Sequence, residues 1–260
     1  MDAVFPSRCC SCGRFFKLRR KTESSSPGSQ GRDPEWDDDL AGSLCGVCIR
    51  LVERVGSPHC TCCGRPFDST QGVDHRCGHC RENPADYFRA RSAAVYRGAF
   101  KALVCAYKYQ YRVELTVPLA RILWETLNFY WDPRLIDYVI PVPLHRRRLR
   151  ERGFNQAELM IRAWPAMSGA PDRQRKPPTL LTDNLVRCRY TAPQTGLDRR
   201  QRVTNLVDAF QLVDPSTVRG RRVLLVDDVL TTGATVNACA RVLRRAKAAS
   251  VEVLTLARAI

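Results

Sequence analysis

At 260 residues, 44% hydrophobic and 26% charged, the chain has the composition of ordinary globular protein and the length for one large domain or two small ones. No apolar stretch approaches the roughly 18 residues a membrane span needs, and Met1-Asp2-Ala3-Val4-Phe5-Pro6 lacks the basic-then-apolar pattern of a secretory signal, so a soluble cytoplasmic protein without membrane insertion is expected. The formal net charge of +16 lies almost wholly in residues 81–260, where 31 Lys and Arg face 16 Asp and Glu; such a surplus attracts nucleic acid, phosphorylated metabolites or anionic lipid, although its scarcity of Lys is also what a GC-rich coding sequence produces.

Cysteine organises the first 80 residues, which hold ten of the 13 in the chain. C-x-x-C spacing without a secretory signal argues for metal over disulfides. The pairs are Cys9/Cys12, Cys45/Cys48, Cys60/Cys63 and Cys77/Cys80, and two run into a turn, Cys12-Gly13 and Cys63-Gly64, as zinc knuckles do. Two thiolates so spaced can point at one ion, and two such pairs close a tetrahedral site. Eight ligands therefore predict two structural zinc ions. Sequential pairing is the simplest arrangement, and a cross-braced one (first pair with third) also fits. Cys10 and Cys62 each sit beside a ligand candidate and blur the register; His59, His75 and His79 could substitute as ligands but read more simply as solvated loop residues. A closed four-thiolate site has no open position for substrate, so the module is structural or adhesive and needs metal to fold. Lys17–Asp39 is polar, with a Ser-rich run and Asp37-Asp38-Asp39, and reads as a flexible insert between the first two pairs. Cys105, Cys188 and Cys239 stand alone and read as buried small hydrophobes.

From residue 81 strands and helices alternate. Strands are predicted at Ala90–Tyr96, Tyr138–Val142, Val223–Val226 and Val251–Ala257, and helices at Ala99–Tyr109, Glu114–Tyr130, Asn155–Ala163 and Thr235–Lys247, with Pro165 stopping the third. Leu115, Leu119, Ile122, Leu123 and Leu127 form the apolar stripe of the second helix. The continuous apolar run Val223–Val226 marks a central parallel strand. This order gives βαβ units and an α/β fold with an open, mostly parallel sheet flanked by helices.

The segment from Val223 to Thr235 carries the chemistry. Its apolar strand leads into Asp227 and Asp228, then a small, hydroxyl-rich loop, Thr231-Thr232-Gly233-Ala234-Thr235, then a helix. In an open α/β sheet the ligand crevice lies at the carboxyl ends of strands. The loop gathers backbone N–H groups and Thr hydroxyls at a positive helix N-terminus, a nest for a phosphate dianion. The two carboxylates can accept hydrogen bonds from vicinal ribose hydroxyls, which completes a 5-phosphoribosyl cradle. No Lys follows the glycine as in a Walker A loop, and the G-x-G-x-x-G fingerprint is absent.

This thirteen-residue run resembles the phosphoribosyl pyrophosphate (PRPP) motif of type I phosphoribosyltransferases. With the four cysteine pairs, Tyr107-Lys108-Tyr109, Pro141-Val142-Pro143-Leu144, Arg152-Gly153-Phe154-Asn155-Gln156, Arg189-x-Thr191-x-x-Gln194 and Arg202-x-x-Asn205 with Phe210, nearly the whole chain resembles the ComF family of competence and DNA-uptake proteins. The resemblance implies a double zinc ribbon at 1–84, with its insert at 17–39, and a type I phosphoribosyltransferase fold at 85–260. That insert is longer than expected between the first two pairs.

Carried onto this sequence, the resemblance places the basic segment after Pro143, with Arg146, Arg147, Arg148 and Arg152, as the loop that binds pyrophosphate, and Gly153 would let it move. Guanidinium forks suit that task. Five Arg within seven residues exceed the needs of one pyrophosphate, and some could track a nucleic-acid backbone. Thr231–Thr235 would hold the 5′-phosphate, Asp227 and Asp228 the ribose hydroxyls, and Mg²⁺ the pyrophosphate. Arg189–Arg202 would form a hood over the site, and Tyr107-Lys108-Tyr109 a base-stacking or capping segment, or simply a helix end. Two functions are expected from this: a PRPP-dependent phosphoribosyl transfer to a nitrogen acceptor, or a non-catalytic platform for single-stranded DNA or a competence partner.

Overall fold

A computed structural model describes residues 6–17, 36–69, 71–167, 178–189 and 208–260. Residues 18–35 of the polar insert, most of the hood, including Thr191, Gln194 and Arg202, and Asn205 beyond it lie outside the described residues.

Five strands form one parallel sheet in the order β3 (Arg89–Val95), β9 (Ser250–Arg258), β8 (Arg222–Leu230), β4 (Tyr138–Pro141), β5 (Thr179–Leu180). Strands buried on both faces need near-continuous apolar sequence. Val223–Val226 and Val251–Ala257 supply it, and β8 pairs with β9 from Arg222↔Ser250 to Leu230↔Arg258. The strand thus runs four residues beyond the apolar segment and carries both acids within it. Helices α4 (Gly98–Tyr109), α5 (Thr116–Tyr130) and α7 (Gln156–Arg162) pack with Leu224, Val226, Leu254 and Leu256 on one face. Helix α8 (Ala234–Arg245) packs with Val223, Leu225, Val251 and Val253 on the other. A short antiparallel pair, β6 (Leu185–Arg187) with β7 (Phe210–Leu212), stands beside α8.

The cysteine-rich segment is built onto this sheet. It carries the strand pair β1 (Ser7–Arg8) and β2 (Phe15–Phe16) and short helices α1 (Asp37–Leu40), α2 (Gly46–Arg50) and α3 (Gly78–Glu82). Cys9, Leu40, Leu44 and Cys48 join the α4–α5 cluster, whereas Cys60, Cys63 and Cys80 join the α8 cluster. Between them the chain runs antiparallel along edge strand β3, with Val55 N–H on the Ala93 carbonyl at 3.0 Å and Val95 N–H on the Glu53 carbonyl at 2.8 Å. An edge strand otherwise offers open hydrogen-bonding groups.

Three expectations change here. The far end of the insert is ordered: Trp36 is buried against Phe100 under the Arg54 guanidinium, and Asp39 pairs with Arg121 at 3.2 Å. Aromatic burial outweighs the acidic run that suggested a loop. His59 is buried too, its ring 3.3 Å from Asp74, so it is no solvated loop residue. Among the single cysteines only Cys239 is fully buried; Cys105 is half-buried and Cys188 exposed.

Candidate functional site

Side chains alternate along a strand, so β8 sends its two acids to opposite faces. Asp228 follows Leu224 and Val226 to the α4 side, where Lys108 Nζ lies 2.7 Å from its carboxylate. Asp227 follows Val223 and Leu225 to the α8 side, within electrostatic reach of Arg187 and Cys239. Burial and the adjacent Asp228 charge push the Asp227 carboxyl up to about 7, against the opposing pull of Lys108 and of the Asp228 N–H at 2.8 Å.

After Leu230 the chain turns through Thr231, Thr232 and Gly233. Gly233 has φ 81°, ψ −1°, a left-handed conformation natural to glycine. An added Cβ there would touch the Tyr87 hydroxyl at 3.6 Å, an ordinary van der Waals contact, so the backbone conformation and not space is what calls for glycine. Helix α8 starts at Ala234, whose N–H points at Thr232 Oγ1 at 3.4 Å. Thr231 is exposed and Thr232, Gly233, Ala234 and Thr235 half-exposed. The loop therefore gathers Thr231–Thr235 at the N-terminus of a 12-residue helix, where first-turn N–H groups lack intrahelical acceptors and the dipole favours an anion.

The basic segment after β4 is a helix, α6 (Arg146–Arg152), and not the expected loop. His145 Nδ1 accepts the Arg147 N–H at 3.2 Å at its start. Gly153, at φ 76°, closes it as a left-handed cap, with its N–H on the Leu149 carbonyl at 2.8 Å. At 3.6 residues per turn its five arginines cannot all converge on one point. Arg148 and Arg152, four apart, share the half-buried face; Arg146, Arg147 and Arg150 are exposed. Arg147 pairs with Glu151 at 3.0 Å. Arg152 donates to Gln156 Oε1 at 3.1 Å and lies over the Tyr109 ring, 5.0 Å from its centre. Asn155 caps α7 and donates to the Val142 carbonyl at 3.1 Å, tying this helix pair to the end of β4.

The cysteines gather in the sequential pairing: Cys9, Cys12, Cys45 and Cys48 in one group, and Cys60, Cys63, Cys77 and Cys80 in the other, sulfurs within 4.8 Å of one another. A zinc–thiolate tetrahedron with bonds of about 2.3 Å has edges of about 3.8 Å. Cys12 and Cys45 sulfurs are 3.8 Å apart, and those of Cys63 and Cys77 3.9 Å. Backbone N–H groups already point at sulfur, Cys45 at Cys9 (3.4 Å) and Cys77 at Cys60 (3.3 Å). Burial opposes ionisation of Cys9 and Cys60, but N–H donors outweigh it and bring each to about 6; burial pushes Cys48 up to about 12. Burial and the neighbouring Cys63 raise the Cys80 thiol as well, so each site holds a ready thiolate beside a thiol that a soft divalent cation would have to deprotonate. Both donor sets fit zinc. Cys10 and Cys62 stand outside both groups.

The sequence motifs point to the loop, acids and cysteines, but not to the residues that join them. Lys108 is readable as a capping candidate, though its carboxylate partner is not. Arg187, Arg258 and Tyr87 carry no motif; a charge inside an apolar strand end, as at Arg258, is the one available signal.

The phosphoribosyl transferase domain family matches residues 188–260. The chain is 35% identical over 221 residues to the DNA utilization protein YhgH of Salmonella typhimurium, covering 84% of this chain and 91% of that protein. It is 30% identical over 220 residues to competence protein F of Haemophilus influenzae, covering 83% and 90%, and 27% identical over 220 residues to competence protein ComFC of Bacillus subtilis, covering 83% and 84%. A solved hypoxanthine phosphoribosyl transferase of Trypanosoma cruzi is 17% identical, with 54% of this chain and 60% of that one covered and a TM-score of 0.31.

Proposed function

Since the chain belongs to the ComF family of competence and DNA-utilization proteins, we propose that it binds PRPP with Mg²⁺ and transfers the phosphoribosyl group to a nitrogen acceptor during the uptake or use of DNA in the cytoplasm. In this reading residues 1–84 form a double zinc ribbon and residues 85–260 the phosphoribosyltransferase domain. The observation that carries it is the left-handed turn at Gly233, which joins a strand bearing Asp227 and Asp228 to the N-terminus of α8.

Thr231–Thr235 take the 5′-phosphate through backbone N–H groups and hydroxyls. Asp228, on the Lys108 side of the strand, accepts from the ribose hydroxyls, while Asp227 leaves β8 on the opposite face and shapes the site as the immediate neighbour of Asp228. The acceptor nitrogen forms a bond to C1 as the C1–oxygen bond breaks and pyrophosphate leaves with the electron pair. Arg148 and Arg152, which share one face of α6, steady the leaving charge. Bound Mg²⁺ would supply further neutralisation of the pyrophosphate. Zinc at the two cysteine groups would be structural, and a competence protein would be the partner. Among the described residues no helix is long and apolar enough to cross a membrane.

Titration calorimetry of the zinc-loaded protein with PRPP and Mg²⁺ tests the site. Saturable binding that Thr232→Ala abolishes supports it. No heat from the wild type at millimolar PRPP removes it.

A second reading rests on a different observation. Tyr109 and Tyr111 are each 62% exposed beside the arginines of α6, an aromatic and cationic surface of the kind that stacks and neutralises single-stranded DNA. There the fold serves as a platform. Affinity for single-stranded DNA should fall steeply with salt and weaken when Arg146, Arg147 and Arg148 become Ala together; affinity that is flat with salt would remove this reading.

A further inference from the structure

Arg258, near the end of β9, is buried, with 8% of its surface exposed. Its Nη2 lies 3.9 Å from Cys63 Sγ, in the second cysteine group. Its Nη1 donates to the Leu230 carbonyl at 2.8 Å and to the Thr231 carbonyl. One guanidinium therefore touches a sulfur of the candidate metal site and the first residues of the phosphate loop. Tyr87, also buried, belongs to the same core cluster as this cysteine group, lies within electrostatic reach of Cys62, Cys63 and Cys80, and has its hydroxyl under Gly233.

The cysteine end of this strut is firmly seated. Ala90 N–H donates to the Cys62 carbonyl at 2.6 Å and Arg91 to the Thr61 carbonyl at 3.2 Å. Gly64, at φ 65°, lies so close to β3 that an added Cβ would meet the Ala90 carbonyl oxygen at 2.6 Å. The first cysteine group lies instead in the α4–α5 cluster on the opposite face of the sheet.

We propose that the Cys60/Cys63/Cys77/Cys80 site is a positioning element of the phosphate loop, with Arg258 and Tyr87 as the positioning residues that carry its metal state to Thr231–Gly233. Zinc held by four thiolates leaves roughly two net negative charges, a counter-charge for a buried guanidinium. Without metal the four sulfurs are no longer drawn to one point, and Arg258 loses the fixed seat that Cys63 gives its guanidinium. The guanidinium then moves toward water and releases the Leu230 and Thr231 carbonyls. Ligand affinity should therefore depend on the second metal site far more than on the first. The consequence for PRPP rests on the proposed function; the consequence for loop order does not.

The test uses the full zinc-loaded chain, Arg258→Met, Arg258→Lys and Tyr87→Phe, with zinc content, amide hydrogen exchange at residues 231–235, and PRPP titration in Mg²⁺. Arg258→Met should keep two zinc ions, exchange its loop amides at least about tenfold faster, and bind PRPP about tenfold more weakly, the scale of one charge-assisted hydrogen bond. Arg258→Lys should recover part of both, and Tyr87→Phe should lose a smaller part. Removing zinc from the second site alone, through Cys77→Ser, should reproduce the faster exchange, and Cys12→Ser at the first site should not. Loop exchange within twofold of wild type in Arg258→Met, or in Arg258→Lys and Tyr87→Phe together should the first variant misfold, overturns the proposal. If the wild type binds no PRPP while the exchange pattern appears, the proposed function fails and the strut stands.

Discussion

Lys108, at the last turn of α4, holds its ammonium 2.7 Å from the Asp228 carboxylate, and the two side chains are only 11% and 13% exposed. A buried pair of this kind resists loss of one partner because the other is left charged and poorly solvated, at a cost of about 3–5 kcal/mol. Lys108→Met should therefore destabilise the fold by about 3 kcal/mol in urea titrations. Lys108→Met with Asp228→Asn should recover at least about half of that, because both charges are then gone. Additive effects in the double variant would mean the ion pair has no energetic weight. In the proposed reaction Lys108 holds the Asp228 carboxylate in place while the ribose hydroxyls share it, so the single variant should also lose PRPP affinity.

Asp227 gives a pH signature. Its folded carboxyl sits at about 7, raised first by burial and then by Asp228, against about 3.9 in an unfolded chain. A raised acid binds its proton more tightly when folded, so its favourable contribution is complete below pH 4 and is lost as pH rises to about 7. Asp227→Asn should hence flatten the fall in stability between pH 5 and 8 and leave the variant the more stable near pH 8. Glu125, which burial also raises to about 7, stays in the variant and contributes to the residual slope. An unchanged slope in paired thermal melts would rule out Asp227 as its source.

The cysteine groups predict a count that separates ligands from neighbours. Wild-type protein should carry two zinc ions. Cys10→Ser and Cys62→Ser should keep both, since these sulfurs stand outside the two clusters. Cys12→Ser and Cys63→Ser should each lose one ion. Because ligands must be deprotonated, acidification should release the metal. Retention of two ions in Cys63→Ser, by elemental analysis after gel filtration, would overturn the assignment.

How far the sequence carries is clear from these residues. Local chemistry is legible: the C-x-x-C spacing predicts metal sites, the apolar runs mark the central strands, and Asp-Asp followed by Thr-Thr-Gly marks the turn. Long-range placement is not. Nothing near Lys108 says that residue 228 lies beside it, and nothing near Arg258 says that Cys63 does; such neighbours meet only once β3, β9 and β8 lie side by side. The Arg146–Arg152 run reads as a loop because its charge draws attention from its helical composition: Arg, Leu and Glu are good helix formers, and Gly153 is a fitting cap.

That helix leads to a separation of functions. Arg148 and Arg152 share its half-buried face, and Arg152 is held by Gln156 and Tyr109; Arg146, Arg147 and Arg150 face solvent. If pyrophosphate and nucleic acid both use this helix, they use different faces of it. Arg148→Ala with Arg152→Ala should weaken PRPP binding about tenfold or more, the loss expected of charge-assisted hydrogen bonds to phosphate, and change DNA affinity less. Arg146→Ala, Arg147→Ala and Arg150→Ala together should leave PRPP binding within about twofold and lower the salt slope of single-stranded DNA binding by about 0.7 for each phosphate no longer neutralised. Parallel calorimetric and anisotropy titrations of the two variants decide the matter: equal losses of both ligands in both variants would mean one undivided anion surface.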